Sequence, residues 1–213
     1  MSGNASNRRF SWQGKLALVA FCAFTPPTLP SAAETSSLPL APEASPLITE
    51  RLVSVGFRRS AGRNIDSIII HSCYHKGPGD RYDVESILGM LKKQGVSPHY
   101  LIARDGRIYR LVAESNVAYH AGVSRLPDGR RLVNEVSLGI ELVNGYDDSY
   151  TEAQYASLAM LLRDLTSRYP AISYVLGHRE IASPRRTDPW NFEWSRFASF
   201  RKTEGRIVLS GGR

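Results

Sequence analysis

Strand-length and helix-length hydrophobic patterns alternate along most of this 213-residue chain, and this alternation constrains the fold more than any other feature. The run from Asp66 to His71, centred on three isoleucines, predicts a buried strand. The run from Ser137 to Val143 predicts a second strand. Helical patterns follow both, from Asp83 to Gly95 and from Thr151 to just before Pro170. The order predicts an α/β fold: a single domain with a central mixed β-sheet flanked by helices.

Local signals define the ends of these elements. After Asp83, apolar residues recur at helical spacing, and Gly95 is a typical helix end. Thr151 and Gln154 form a capping box at the start of the second helix. In the strand Ser137–Val143, Leu138, Ile140 and Leu142 share one face, so Gly139 and Glu141 take the other.

Two further strand predictions complete the sheet. The β-rich runs His99–Arg104 and Arg107–Val112 flank Asp105-Gly106, which is typical of a two-residue hairpin turn. Residues Ile172–Leu176 predict a short strand that ends just before His178. The aromatic segment containing Trp190, Trp194 and Phe197 is interpreted as core packing.

The first 33 residues have the pattern of a signal peptide. Arg8-Arg9 and Lys15 precede the apolar stretch Leu16–Phe24, and Ser31-Ala32-Ala33 is a small-residue cleavage site. Nine apolar residues are too few to span a bilayer, which needs about 20. We therefore expect export to the periplasm. We expect attachment to the membrane only if this segment is retained or is lipidated at Cys22.

Residues 34–48 are rich in Pro, Ser and Ala and predict a linker, so the folded domain is expected at 49–213. The formal net charge of +7 is dispersed, and no DNA- or RNA-reading motif is present. A mild positive charge suits an anionic polymer better than a nucleic acid. We expect a monomer.

His71 and His178 each follow an apolar strand, and Asp188 lies in a loop stiffened by Pro184 and Pro189. Two imidazoles and one carboxylate can bind zinc and leave a fourth position for water. Each histidine alone is also compatible with a structural role, because the sequence contains neither an HExxH nor a CxxC motif. Together they indicate a Zn²⁺ hydrolase.

Three more residues have candidate roles at such a site. Glu141 is a carboxylate on a central strand, where burial is costly without a partner or a function, so it is the candidate general base. Arg186 could stabilise an oxyanion, although an exposed charge in a basic loop is the alternative. Cys73 is interpreted as a small buried residue rather than a thiol nucleophile.

Five stretches in this order resemble the zinc-dependent N-acetylmuramoyl-L-alanine amidases of type 2, which are related to peptidoglycan recognition proteins and phage T7 lysozyme. The resemblance covers roughly residues 50 to 200. It is carried by Ile68–Ser72, His99–Tyr109, Tyr119–Gly122, Asn134–Leu142 and Gly177–Pro189.

The resemblance implies the roles of individual residues and a peptidoglycan recognition protein-like fold. It implies that Glu141 is the catalytic acid/base and that His120 and Asn134 border the substrate cleft. Arg186 stands where the family usually has lysine, and a planar guanidinium differs from a compact ammonium. The zinc ligands that it implies are His71, His178 and Asp188.

The implied function is hydrolysis of the amide between N-acetylmuramic acid and L-alanine in peptidoglycan or muropeptides. A binding module of the same fold that recognises the muropeptide without cutting it remains the alternative. The sequence does not distinguish intact cell wall from released anhydro-muropeptide as the substrate.

Overall fold

Nine strands and four α-helices form within residues 46–198 and 207–210, the part of the chain that the computed structural model describes. The strands are β1 (Ile48–Glu50), β2 (Phe57–Arg58), β3 (Ser67–Cys73), β4 (Tyr100–Ile102), β5 (Ile108–Arg110), β6 (Val117–Ala118), β7 (Ser137–Val143), β8 (Tyr174–Gly177) and β9 (Val208–Leu209). The helices are α1 (Val84–Gln94), α2 (Val133–Val136), α3 (Glu152–Arg168) and α4 (His178–Ala182), with a 3-10 turn at Trp194–Phe197.

Seven of these strands form one mixed sheet in the order β1-β5-β4-β7-β3-β8-β9, and β2 pairs with β6. β4, β7, β3, β8 and β9 run parallel to one another, whereas β4 and β5 form an antiparallel hairpin. The central strand β7 is buried along its whole length, as expected of a parallel strand covered on both faces. This architecture confirms the predicted single α/β domain with a mixed sheet and flanking helices.

The two faces of β7 have different neighbours, as the sequence predicted. Leu138, Ile140 and Leu142 pack in the main hydrophobic core with the leucines of α3. On the opposite face, Gly139 and Glu141 lie beside Ile69 and His71, their register partners on β3. Polar groups therefore reach the sheet surface on the side away from α3.

Helix caps agree closely with the sequence signals. The Asp83 side chain accepts from the backbone N–H of Ser86, and Gly95 ends α1 in the left-handed region at φ 66°. At α3, Thr151 and Gln154 make both hydrogen bonds of the capping box. The predicted starts and ends of both helices are confirmed.

The hairpin between β4 and β5 differs from the prediction because its loop is longer than two residues. Ala103 N–H donates to Arg107 O (3.0 Å), and Gly106 N–H donates to Ala103 O (2.9 Å). Gly106 has φ +86°, and a Cβ there would lie 2.9 Å from Ala153 O. Both the conformation and the close approach of α3 require glycine, as in a three-residue loop that ends in a left-handed residue.

Three boundaries at the edges of the domain differ from the sequence prediction. Ile48, the last residue of the predicted linker, is the first residue of β1. β8 begins at Tyr174 rather than Ile172, and His178 is the first residue of α4. The predicted signal peptide and most of the predicted linker lie outside the described residues. Among the described helices, none combines the length and the hydrophobicity needed to cross a bilayer.

A buried carboxylate ties the loop after β5 to the last turn of α3. Glu114, 8% exposed, accepts a bidentate pair of hydrogen bonds from Arg168 at 2.6 and 2.8 Å. The hydroxyls of Tyr100 and Tyr169 donate to the same carboxylate. Burial alone would raise the pKa of Glu114, but these donors outweigh burial and lower the pKa to about 2.

We predict that Glu114→Gln lowers the free energy of unfolding at pH 7 by about 2 kcal/mol, because hydrogen bonds to a charged acceptor are lost. The folded-state pKa lies below the usual 4.5, so the contribution is complete above pH 4.5. It disappears as the pH falls from 4.5 to 2. Urea unfolding of both proteins across this range measures the effect.

The matched control is Glu152→Gln, which removes an exposed carboxylate bonded to Arg196 at 2.7 Å. Its expected effect lies within the error of the unfolding measurement, as for other exposed ion pairs. A stability difference between wild type and Glu114→Gln that does not change with pH would contradict the prediction.

Candidate metal centre and active-site cleft

A cleft opens over the carboxyl ends of β3 and β7, on the sheet face away from α3. Its volume is about 280 Å³, and residues of α1 and the first residue of α4 contribute to its lining. Ligand sites in α/β proteins commonly lie outside the carboxyl ends of parallel strands. The cleft is lined by all three predicted metal ligands and by Glu141, Arg186 and His120.

His71 and Glu141 are register partners on adjacent parallel strands. Both side chains therefore leave the sheet on the same face and at the same level. His71 is 3% exposed and Glu141 is 7% exposed, so both groups lie at the bottom of the cleft. Their proximity follows from strand pairing across 70 residues of sequence.

His178 and Asp188 reach the cleft from the segment after β8. His178 begins α4, and its Nδ1 lies 3.1 Å from Asp188 Oδ2. The backbone N–H of Arg179 donates to Asp188 O (2.8 Å), which fastens the loop to the start of α4. His71 Nδ1 lies 3.5 Å from the same carboxylate oxygen.

The three side chains form a group that could hold a metal ion. One nitrogen from each histidine and one carboxylate oxygen all lie within 4.8 Å of one another, and all three residues are buried. His178 Nε2 lies 3.2 Å from Ala121 O, which can only accept, so this nitrogen carries the proton in the neutral ring. In that form the lone pair of His178 Nδ1 faces a carboxylate oxygen, and a cation bound between the two atoms would satisfy both.

The protonation states also fit metal binding. Burial lowers the pKa of His71 to about 4, so its imidazole is neutral at neutral pH. Burial would raise the pKa of Asp188, but the neighbouring His178 and His71 hold it well below its usual range. Neutral histidines and an ionised aspartate are the forms that bind metal.

The pKa of Glu141 is shifted in the opposite direction to that of Asp188, although both carboxyl groups line one cleft. Burial raises the pKa of Glu141 to about 8, and the negative charge of Asp188 contributes in the same direction. The Cys73 thiol and Arg186 offset only part of this shift. A carboxyl group that titrates near neutral pH can both accept and donate a proton.

Arg186 lies at the rim of the cleft. It also borders a neighbouring cavity of about 500 Å³, together with Arg179, Trp190 and Tyr146. Its side chain is exposed, and its charge acts on both His71 and Glu141. The structure thus places a guanidinium beside the candidate metal ligands, and its role with the oxyanion stays a prediction.

The two predicted substrate-binding residues have different positions. His120 lines the cleft, but its ring also lies behind His71, with His120 Nδ1 3.0 Å from His71 Nε2. Asn134 is not among the lining residues. Its Oδ1 accepts from the backbone N–H groups of His120 (3.2 Å) and Ala121 (2.8 Å). A substrate contact of either residue stays a prediction.

Aromatic residues at the rim were not singled out as functional from the sequence. Trp190, interpreted there as core packing, instead lines the cleft and contacts Tyr74 and Tyr146 at centroid distances of 6.0 and 5.7 Å. The sequence feature that could have indicated its position at the cleft is that Trp190 directly follows the Asp188-Pro189 dipeptide. Phe197 is buried in the main core, as expected.

Cys73 also lies at the cleft, two residues after His71 on β3. Burial, followed by the charge of Glu141, raises the pKa of its thiol well above the usual value. A nucleophilic cysteine needs a lowered pKa. The environment of Cys73 therefore favours a structural thiol over a nucleophile, although the residue is half-buried rather than buried as the sequence interpretation had it.

Comparison with known proteins places this geometry in a family. AmpD of Citrobacter freundii, named as a 1,6-anhydro-N-acetylmuramyl-L-alanine amidase, is 47% identical over 104 residues. Those residues are 48% of this chain and 55% of that protein, so the match spans about half the length of this curated relative.

Two solved structures have the same fold. The crystal structure of a selenomethionine AmpD derivative has a TM-score of 0.58 and 30% identity, covering 75% of this chain and 94% of that chain. AmiD of E. coli, solved in complex with anhydro-N-acetylmuramic acid-L-Ala-D-gamma-Glu-L-Lys, has a TM-score of 0.56 and 28% identity. That match covers 72% of this chain and 67% of AmiD.

Residues 61–191 match the family described as N-acetylmuramoyl-L-alanine amidase (Amidase_2). This segment contains every residue of the candidate metal group and Glu141, and it confirms the resemblance seen in the sequence motifs. Because the match covers more than half of the chain, the protein belongs to the N-acetylmuramoyl-L-alanine amidase family.

Proposed function

We propose that this protein is an exported, zinc-dependent amidase that cleaves the bond between the lactyl group of N-acetylmuramic acid and L-alanine. The observation that carries the proposal is the convergence of two histidines, one aspartate and one glutamate, all buried, in a single cleft. Family membership and the muropeptide bound to the related AmiD support the substrate class. Peptidoglycan or muropeptides are the expected substrates.

Zinc is the metal that best fits the donor atoms. His71, His178 and Asp188 would hold it through two imidazole nitrogens and one carboxylate oxygen. This ligand set is typical of catalytic zinc sites, which keep one position open. When bound, the ion supplies Lewis acidity that polarises a carbonyl group and acidifies water.

Glu141 is the proton carrier in the proposed reaction. It accepts a proton from the attacking water as the water oxygen bonds to the amide carbon. It returns this proton to the amide nitrogen as the carbon–nitrogen bond breaks, so that the stem peptide leaves as an amine. Its position beside His71 and its pKa near neutrality suit both steps.

Arg186 has an electrostatic role in the same reaction. The guanidinium at the rim of the cleft provides a positive charge for the oxyanion of the tetrahedral intermediate. The exposed side chain keeps the freedom to approach a bound substrate. A guanidinium can offer two parallel donors where lysine offers a point charge.

The first experiment is digestion of purified muropeptides by the zinc-loaded protein, with products identified by mass spectrometry. We expect free stem peptide and an intact saccharide, no cleavage after chelation, and recovery when zinc is restored. A protein that binds muropeptide without cleaving it in the presence of zinc would favour the binding-module alternative. Cleavage that persists after complete chelation would contradict the zinc proposal.

We predict that Glu141→Gln lowers kcat by at least about 100-fold, since a general acid/base contributes that much or more. Zinc content should remain one per chain because Glu141 is not in the ligand group. Steady-state kinetics and metal analysis of the same preparation test both expectations. Glu152→Gln, at the exposed start of α3, is the matched control and should keep wild-type activity. A fully active Glu141→Gln protein would remove the role given to Glu141.

Export rests on the sequence pattern of residues 1–33. We predict that the full chain, expressed in a host with an outer membrane, is recovered from the periplasm with Glu34 as its first residue. Intact-mass measurement of the periplasmic and membrane fractions tests this. A chain that lacks residues 1–33 is the control and should stay in the cytoplasm. Recovery of the uncut chain from the membrane would show a retained anchor, and recovery from the cytoplasm would contradict export.

A further inference from the structure

A line of hydrogen-bonding groups runs from the candidate ligand His71 back into the protein. His71 Nε2 lies 3.0 Å from His120 Nδ1, and His120 Nε2 lies 3.3 Å from Ser137 Oγ. Ser137 Oγ in turn lies 2.6 Å from Val133 O. Each ring thus uses both of its nitrogens, and the line ends at a backbone carbonyl of α2.

The carbonyl at the end of this line determines which atom donates and which accepts in each of its hydrogen bonds. A carbonyl can only accept, so the single hydroxyl proton of Ser137 goes to Val133 O. Ser137 Oγ must then accept from a proton on His120 Nε2. A neutral imidazole has one N–H, so His120 Nδ1 carries a lone pair and accepts from His71 Nε2.

This arrangement of protons is that of neutral rings, the form in which histidine binds metal. His99, whose ring centroid is 5.7 Å from that of His120, does not compete for these protons. It accepts from Gly139 N–H at Nδ1 (3.0 Å), so its proton lies on Nε2 and goes to Asn116 O (3.2 Å).

We propose that Ser137 and His120 are positioning residues that keep His71 in its Nε2-protonated tautomer, so that the Nδ1 lone pair stays directed at the metal position. His71 Nδ1 is the nitrogen that faces Asp188 Oδ2, at 3.5 Å. The proposal rests on the proposed zinc site for its purpose, but the tautomer is a property of the metal-free protein. Partners of this kind orient metal-binding histidines and raise their basicity.

The backbone is built to hold His120 in this line. Gly139 lies against the His120 ring, and a Cβ there would come within 2.4 Å of His120 Cγ. Asn134 accepts from the backbone N–H of His120 and fixes its main chain. Ser137 is the first residue of β7 and is fully buried, so its hydroxyl has no contact with solvent.

A single hydrogen bond to a backbone carbonyl favours the same tautomer in His178. Its Nε2–H donates to Ala121 O, the carbonyl of the residue after His120. Both histidines therefore present Nδ1 to Asp188 while a fixed acceptor holds the proton on Nε2. Two independent arrangements that produce the same tautomer indicate that the tautomer matters for the site.

The decisive experiment is nitrogen–proton correlation NMR of the histidine side chains in the metal-free full chain. We expect His71 and His120 to be Nε2-protonated in the wild type. Ser137→Ala removes the acceptor for His120 Nε2–H and should produce a mixture of tautomers at both rings. A role that is merely structural would leave the tautomers unchanged.

Zinc affinity provides a second measurement, by competition with a chromophoric chelator. We expect the zinc dissociation constant to rise about 10-fold to 100-fold in His120→Phe and less in Ser137→Ala. The matched control is Ser97→Ala, because Ser97 is buried, lines the same cleft and donates only to Pro98 O. Its tautomers and zinc affinity should equal those of the wild type.

Two results would overturn the proposal. One is a metal-free wild type in which His71 carries its proton on Nδ1. The other is a Ser137→Ala protein whose histidine tautomers equal those of the wild type, whatever its zinc affinity. A wild type that binds no zinc at all would instead overturn the proposed function, while the NMR measurement would still decide the proton arrangement.

Discussion

The parallel pairing of β3 with β7 is the constraint on which the site depends. It places His71 opposite Glu141 and Ile69 opposite Gly139, all on the sheet face away from α3. A shift of the register by one residue would turn Glu141 into the leucine-rich core and bring an apolar side chain to the cleft. The large core formed with α3 opposes such a shift, so the packing of one face fixes the chemistry of the other.

Two buried carboxyl groups within one small cleft would repel each other if both were ionised. Here their surroundings give them different pKa values, because Asp188 is flanked by two histidines while Glu141 is buried with the charge of Asp188 nearby. One group can then hold a cation while the other exchanges protons. The burial of Glu141 and the two histidines beside Asp188 therefore suit Glu141 to proton transfer and Asp188 to holding a cation.

The sequence predicted the parts of the fold that are encoded locally. The helix end at Gly95, the capping box at Thr151 and the two faces of β7 depend on neighbours within a few residues and were predicted correctly. The longer hairpin loop was missed because the approach of α3 to Gly106 is a long-range contact. Trp190 was assigned to the core for a similar reason: hydrophobicity does not distinguish a core aromatic from one at the rim of a cleft.

The metal group itself was predictable because each ligand follows a recognisable strand or lies in a stiff loop. The groups behind the ligands were not, since Ser137 has the sequence context of an ordinary strand start and His120 follows a short strand with no distinctive pattern. Gly139 is the one clue in the sequence: a glycine within a buried strand marks a close approach by another group. That group is the His120 ring, so the glycine that weakens the strand is also what admits the partner of His71.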